Sequence, residues 1–347
     1  MSSDFLSRLA VDLPIFQAPM AGVATPEMAA AVSNAGGLGG LGLGAMDATL
    51  AEDSIRQTGK ATDRPFCANF FCHSSEVRDA TRENDWIARA KPLFDSLKAD
   101  PPQHLRRIYA SFRDEDAMLN VVLRTRPRVV SFHFGLPRPD QMAALKQAGI
   151  LTMASATSLA EARRIQAAGC DAVIAQGYQA GGHRGIFDPD GPDQRLTTMD
   201  LTRQLCAELT LPVVAAGGLM HGADIARALS WGAVAAQLGT AFVACPESLA
   251  DAEYRERLGR GGTVMTSAIS GRPARCLENR LTDWCRGATR IPAYPDAYDL
   301  SKRLIAAARA ADAPGFGAFW AGTGAAQVRP MPAGKLVQML AQEWRTA

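Results

Sequence analysis

Three glycine-rich stretches hold the residues best suited to chemistry. QGYQAGGHRG (176–185) places His183 on a loop just past the apolar run 172–177. An imidazole titrates near neutrality, so there it suits proton transfer or orientation of an anionic substrate. AAGG (215–218) closes a second run with Gly217 and Gly218, and QLGT (237–240) brings Gly239 and the Thr240 hydroxyl to the end of a third. Small residues with accessible backbone N–H groups at such strand ends are the parts of a phosphate cradle.

Other groups are weaker candidates. Gly37, Gly39 and Gly42 spell G-x-G-x-x-G. A dinucleotide fingerprint follows a strand and opens a helix, whereas these glycines follow a helical pattern and themselves form a strand-like run. They read instead as positions where a flat ligand or a neighbouring helix approaches the backbone. Cys67, Cys72 and His73 lie close in sequence, but structural zinc wants four converging ligands and no second pair has suitable spacing. No metal is expected. His133, inside strand four, and His73, just after strand three, could each line the mouth but read first as structural histidines, while His104 and His221 carry no signal. No G-x-S-x-G is present.

These groups need a scaffold that delivers them to one end. Apolar runs occur at 14–20, 38–44, 66–71, 129–134, 151–156, 172–177, 212–218 and 235–242. They are continuous rather than alternating, as parallel strands covered on both faces are. Helix signals lie between them: Thr25-Pro26-Glu27 starts one helix, Pro139 another, and Ser158 with Glu161 makes a capping box. Most strand-to-strand intervals match a simple βα unit. The reading is α/β: a (β/α)8 TIM barrel over residues 1–246, with a helical insertion at about 72–128. Residues 247–347 are expected to be a smaller, mainly helical part packed on the barrel. The loop 178–197, rich in Gly, Asp and Pro, follows strand six on the face where barrel active sites lie.

Composition narrows the partners. Lys and Arg number 37 against 35 Asp and Glu, a formal charge of +2, so no basic surface points to nucleic acid. The longest uncharged stretch, from Arg227 to Glu247, is broken by Gly232, Gln237, Gly239 and Pro246, and reads as core rather than a bilayer span. The seven cysteines are scattered without a C-x-x-C pair, which favours free thiols in a reducing compartment. With Asp4 early and no sustained apolar segment at the start, a cytoplasmic protein is expected. Oligomeric state is not readable from the sequence, and a homo-oligomer stays open.

Taken together, APM (18–20), AN (68–69), AQG (175–177), AGGH (180–183), AAGG (215–218), QLGT (237–240) and FWAGTGAAQVRP (319–330) resemble the nitronate monooxygenases, formerly 2-nitropropane dioxygenases. The resemblance implies an FMN-containing barrel that oxidises alkyl nitronates, such as propionate 3-nitronate, by O2 to carbonyl compounds and nitrite. It also assigns roles. Pro19 and Met20 would border the flavin, and Asn69 and Gln176 would bond its ring or ribityl chain. Gly181 and Gly182 would let the loop pass close to it. Gly217, Gly218 and the run Gln237, Leu238, Gly239 and Thr240 would hold the phosphate, and His183 would match the active-site histidine. Some members carry a Lys near the end of strand five, where this chain has Met153-Ala154-Ser155. A nitronate is already a carbanion equivalent, so it needs an electron acceptor more than a strong base. Two other readings remain open: an FMN-dependent enoyl-acyl-carrier-protein reductase using NADH, and a non-catalytic flavin- or phosphate-binding barrel.

Overall fold

A computed structural model describes residues 2–75 and 77–347, with side chains from Asp4 onward. Eight parallel strands form one sheet: β1 (Ile15–Gln17), β2 (Gly39–Gly42), β3 (Phe66–Phe71), β4 (Val129–His133), β5 (Leu151–Ala156), β6 (Ala172–Gln176), β8 (Val213–Ala216) and β9 (Ala235–Leu238). A two-residue strand, β7 (Gly182–His183), lies outside it. The order is β1-β9-β8-β6-β5-β4-β3-β2. The ends meet at a parallel bridge between Phe16 and Leu38, where Gln17 N donates to Leu38 O (2.8 Å) and Leu38 N to Ile15 O (3.0 Å). The sheet is therefore closed, and the fold is the expected TIM barrel.

Sequence signals account for much of the local structure. Thr25 caps α2 (Pro26–Asn34) by accepting from Met28 N, with Pro26 at the first helical position. Glycines in β2 allow close packing. A side chain at Gly39 would collide with the Ala29 carbonyl of α2, and one at Gly42 with the backbone of Met20 and Ala21. The neighbouring-helix reading of these glycines thus has a physical basis. One signal resolves differently. Ser158 does cap α7 (Leu159–Ala167), but Glu161 turns to the N–H (2.6 Å) and hydroxyl (2.8 Å) of Thr157 and to Phe187 N (2.9 Å). That carboxylate, instead of closing a capping box, anchors the loop beyond β7.

The barrel interior has two levels. The floor is apolar: Phe16, Leu38, Cys67, Val129, Met153 and Val214, plugged from below by Phe5 and Leu9 of α1 (Ser2–Leu9). Burying one such large side chain contributes about 1.5–3 kcal/mol. On β3 to β6 polar residues take over two positions further along: Asn69, Ser131, Ser155 and Gln176. Cys67, Cys72 and His73 diverge: Cys67 joins this floor, Cys72 packs in the outer layer, and His73 lies edge-on to Tyr294.

Over the mouth sits a cap drawn from distant segments. It contains α4 (Ala80–Ser96), the hairpin β10 (Thr263–Thr266) and β11 (Ala274–Leu277), α12 (Arg280–Cys285) and α13 (Asp296–Ala310). β11 also pairs antiparallel with β7, Ala274 opposite His183. The final helix, α14 (Ala333–Thr346), does not join the cap. Its Leu336, Val337 and Leu340 pack into the barrel's outer layer with Met28 and Val32 of α2 and with Ile225 of α9 (Gly222–Ser230). Among the described residues no helix is long and apolar enough to cross a membrane.

Candidate active site

A cavity of about 530 Å³ opens at the C-terminal ends of the barrel strands, beneath the cap. Its size falls in the range of small-molecule sites, roughly 300–1,000 Å³. His183 lines it, with Pro19, Met20, Asn69, Gln176, Gly181, Gly182, Gly217, Gly218, Gln237, Gly239 and Thr240. Leu238 is the exception. Strand alternation turns its side chain outward, where it is 1% exposed in the layer under the helices.

The strands deliver an inward polar rim. Asn69 on β3 donates to the carbonyl (3.2 Å) and hydroxyl (2.9 Å) of Ser131 on β4. Two residues further on β4, His133 meets Ser155 of β5 (Nδ1 to Oγ, 3.0 Å) and the backbone carbonyl of His183 (Nε2 to O, 3.1 Å). A carbonyl only accepts, so His133 carries its proton on Nε2, and its Nδ1 accepts from the Ser155 hydroxyl. Ser155 therefore fixes a histidine. Gln176 donates to the same His183 carbonyl (2.9 Å) and accepts from Gly185 N (2.7 Å). One N–H and one lone pair of its amide remain for a ligand.

His183 itself is half-buried, among Phe134, Tyr294, Tyr298 and Trp320. Its Nε2 lies 2.8 Å from Ser270 Oγ, and that hydroxyl also reaches Arg272 O at 3.1 Å. Burial pushes the His183 pKa down to about 3, with His133 and Arg272 adding to the effect. Burial likewise lowers His133 to about 4. Both imidazoles are neutral at physiological pH.

At the opposite side of the mouth, Gly217 (φ 124°) and Gly218 (φ 70°) turn the chain after β8. Side chains at these positions would press on Thr198 Oγ1 and on Gln179 Cβ, each 2.9 Å from the added carbon. After β9, Gly239 precedes the short helix α10 (Thr240–Val243), whose first N–H groups have no intrahelical partner. Thr240 Oγ1 accepts from Gly322 N at 2.9 Å, which ties the segment 319–322 to this corner. That segment also packs so tightly on Gly181 that any side chain there would collide with Ala321 and Gly322. A cradle of backbone at one end and a polar rim at the other fit an elongated ligand with an anionic terminus, as FMN is.

Sequence reasoning missed a set of tyrosines and a lysine from the cap and the segments beside it. Tyr109, Tyr254, Tyr294, Tyr298 and Lys302 all line the cavity. Four of the chain's five tyrosines are thus here, and Tyr294, Tyr298 and Lys302 are spaced four apart, one stripe leading into and along α13. That spacing was a readable signal. Burial raises Tyr109 and Tyr298 to about 12 and pushes Tyr294 up as well, so these phenols stay protonated hydrogen-bond donors.

A family model described as nitronate monooxygenase matches residues 3–343. The chain is 54% identical to a nitronate monooxygenase of Paraburkholderia phytofirmans, covering 97% of this chain and 94% of that protein. It is 47% identical to a nitronate monooxygenase of Pseudomonas aeruginosa, covering 99% and 100%. Among solved structures it superposes on nitroalkane oxidase from Streptomyces ansochromogenes with a TM-score of 0.88 and 38% identity, covering 100% and 98% of the two chains. FabK from Thermotoga maritima is more distant, with a TM-score of 0.73, 28% identity and coverage of 99% and 96%.

Proposed function

The chain belongs to the nitronate monooxygenase family, and from that premise we propose that it oxidises alkyl nitronates by O2 to carbonyl compounds and nitrite, with FMN as its prosthetic group. The observation that carries this reading is that one cavity collects His183 and every expected cofactor position except Leu238. Asn69 and Gln176 would face the ring or ribityl chain, and the Gly217-Gly218 turn with Gly239 and Thr240 would hold the phosphate. Bound FMN supplies electron acceptance and reaction with O2.

The chain's own residues bind and orient the substrate. His183 is neutral, so it offers one N–H and one lone pair. Ser270 decides which of them faces the cavity. When its hydroxyl donates to Arg272 O, it accepts from Nε2–H, and Nδ1 is free to take a proton from a neutral nitroalkane. When it donates to Nε2 instead, Nδ1–H is free to bond a nitronate oxygen. The protonated phenols of Tyr294 and Tyr298 add donors without adding negative charge, which suits an anionic substrate. The seven cysteines are unpaired thiols, which supports a cytoplasmic location.

The test is anaerobic mixing of purified, yellow protein with propionate 3-nitronate and, separately, with NADH. Bleaching by the nitronate alone is expected. Bleaching by NADH alone would replace this reading with that of a reductase, and release of FAD or no flavin on denaturation would remove the cofactor assignment.

A further inference from the structure

Immediately behind His183, on the side of the strand away from the cavity, lies Arg184. It is 1% exposed and does not line the cavity. Its guanidinium grips Asp193 with two parallel bonds, Nε to Oδ2 at 3.0 Å and Nη2 to Oδ1 at 2.9 Å. The remaining nitrogen, Nη1, donates to the carbonyls of Gln176 (2.9 Å) and Gly177 (3.1 Å) at the end of β6. Gln176 returns the contact, its side chain holding the backbone of His183 and Gly185. Two short segments are thus locked reciprocally: the side chain of 176 holds the backbone of 183 and 185, and the side chain of 184 holds the backbone of 176 and 177.

We propose that the Arg184–Asp193 pair is a clamp that sets the position of His183 over the cavity, which makes Arg184 a positioning residue for the reaction. The proposal rests on the reading of His183 as the active-site histidine. Buried ion pairs stabilise poorly, because desolvation offsets most of the attraction, and an apolar pair of similar volume often does as well. What a bidentate arginine adds is direction: its planar fork fixes angles as well as distances. Asp193 holds that fork in plane, and the fork spans carbonyls one residue apart at the root of the loop. Lysine carries the charge but not the fork, so it cannot hold both Asp193 oxygens and both carbonyls in this geometry.

Displacing a reacting group by about 1 Å typically costs on the order of 10²-fold. Arg184→Ala is accordingly expected to lower kcat on a neutral nitroalkane by about 10–10²-fold with KM little changed, and Arg184→Lys to fall between it and the parent. The decisive measurement is a double-mutant cycle with His183→Asn, with FMN content measured in each sample. A residue that acts through His183 loses its effect once His183 is gone, so Arg184→Ala should cost nothing further in the His183→Asn background. Multiplying losses, or an unchanged kcat in Arg184→Ala alone, would overturn the clamp. If Arg184→Ala loses its flavin or fails to fold, the near-isosteric Asp193→Asn decides by the same cycle: a drop in kcat that vanishes without His183 supports the clamp, and an unchanged kcat overturns it. Full activity in His183→Asn alone would instead remove the reading of His183, and the clamp with it.

Discussion

Val129 and His133 belong to one strand, four residues apart, and live in different chemistry. Val129 is part of a sealed apolar floor with Phe16, Met153 and Val214, closed from below by Phe5 and Leu9. His133 is part of a rim where each polar group described has a named partner: Ser131 for Asn69, Ser155 and the His183 carbonyl for His133, Gly185 for Gln176. The change occurs on each of β3 to β6, two residues beyond the floor residue of that strand. These strands therefore do two jobs at two levels. The floor excludes water and stabilises; the rim spends that stability on aiming polar groups, each of which costs about 1–3 kcal/mol if left unsatisfied when buried.

Perturbing one level should leave the other largely intact. The largest effect is expected at the glycine corner proposed to hold the phosphate. A β-carbon on Gly239 would lie 3.3 Å from Ala18 Cβ, a contact small shifts relieve, and its φ of −108° suits any residue. Gly239→Glu should therefore fold, while its carboxylate repels the phosphate and abolishes FMN retention. Normal flavin in the purified variant would place the phosphate elsewhere. Next comes His183→Asn. Loss of a positioned base costs about 10²–10⁴-fold, so turnover of neutral nitroalkanes should fall by that factor and that of preformed nitronates far less. Equal losses on both, with FMN retained, would make His183 a binding group only.

The floor should show the reverse pattern. Phe16→Ala leaves a cavity below the rim and should cost about 3–5 kcal/mol of stability, read by denaturant unfolding. The folded, flavin-loaded fraction should keep a kcat near that of the parent, and a large loss there would mean the two levels are coupled. A smaller and more gradual effect concerns acid. His73, His133 and His183 all have folded pKa values lowered by burial, to about 4, 4 and 3. Unfolding frees them to bind protons at their ordinary value near 6.5, so the unfolded chain takes up more protons below that pH. Their contribution is fully present above pH 6.5 and is lost as pH falls from there toward 3. The thermal midpoint should be flat from pH 7 to 8 and decline below 6.5, with a shallower decline in His133→Asn.

The two levels also differ in how readily the sequence reveals them. Strands and floor follow from contiguous apolar runs, because a parallel strand covered on both faces has no polar alternation to hide it. That His183 lines the cavity was readable from its place on a glycine-rich loop after β6. Its partners were not. Ser270 lies 87 positions away and His133 lies 50, and only barrel closure and the β7–β11 pairing bring them together. β7, with two residues, is too short for any periodicity to announce. Arg184 and Asp193 look like ordinary charges of a polar loop until the fold buries one of them. Glu161 shows the same limit on a smaller scale: its spacing from Ser158 matched a capping box, but tertiary contact with Phe187 drew it elsewhere.

The position of α14 has a consequence for how the chain is made. The outer layer around α2 and α9 is completed by Leu336, Val337 and Leu340, although the last barrel strand ends at Leu238. At roughly 5–20 residues per second, translation takes on the order of 5–20 s to travel from β9 to that helix. During that interval the apolar surface of α2 and α9 has no cover of its own chain. A nascent chain halted or clipped before Ala333 would present a complete strand set with an uncovered seam, the kind of surface chaperones bind and aggregates grow from.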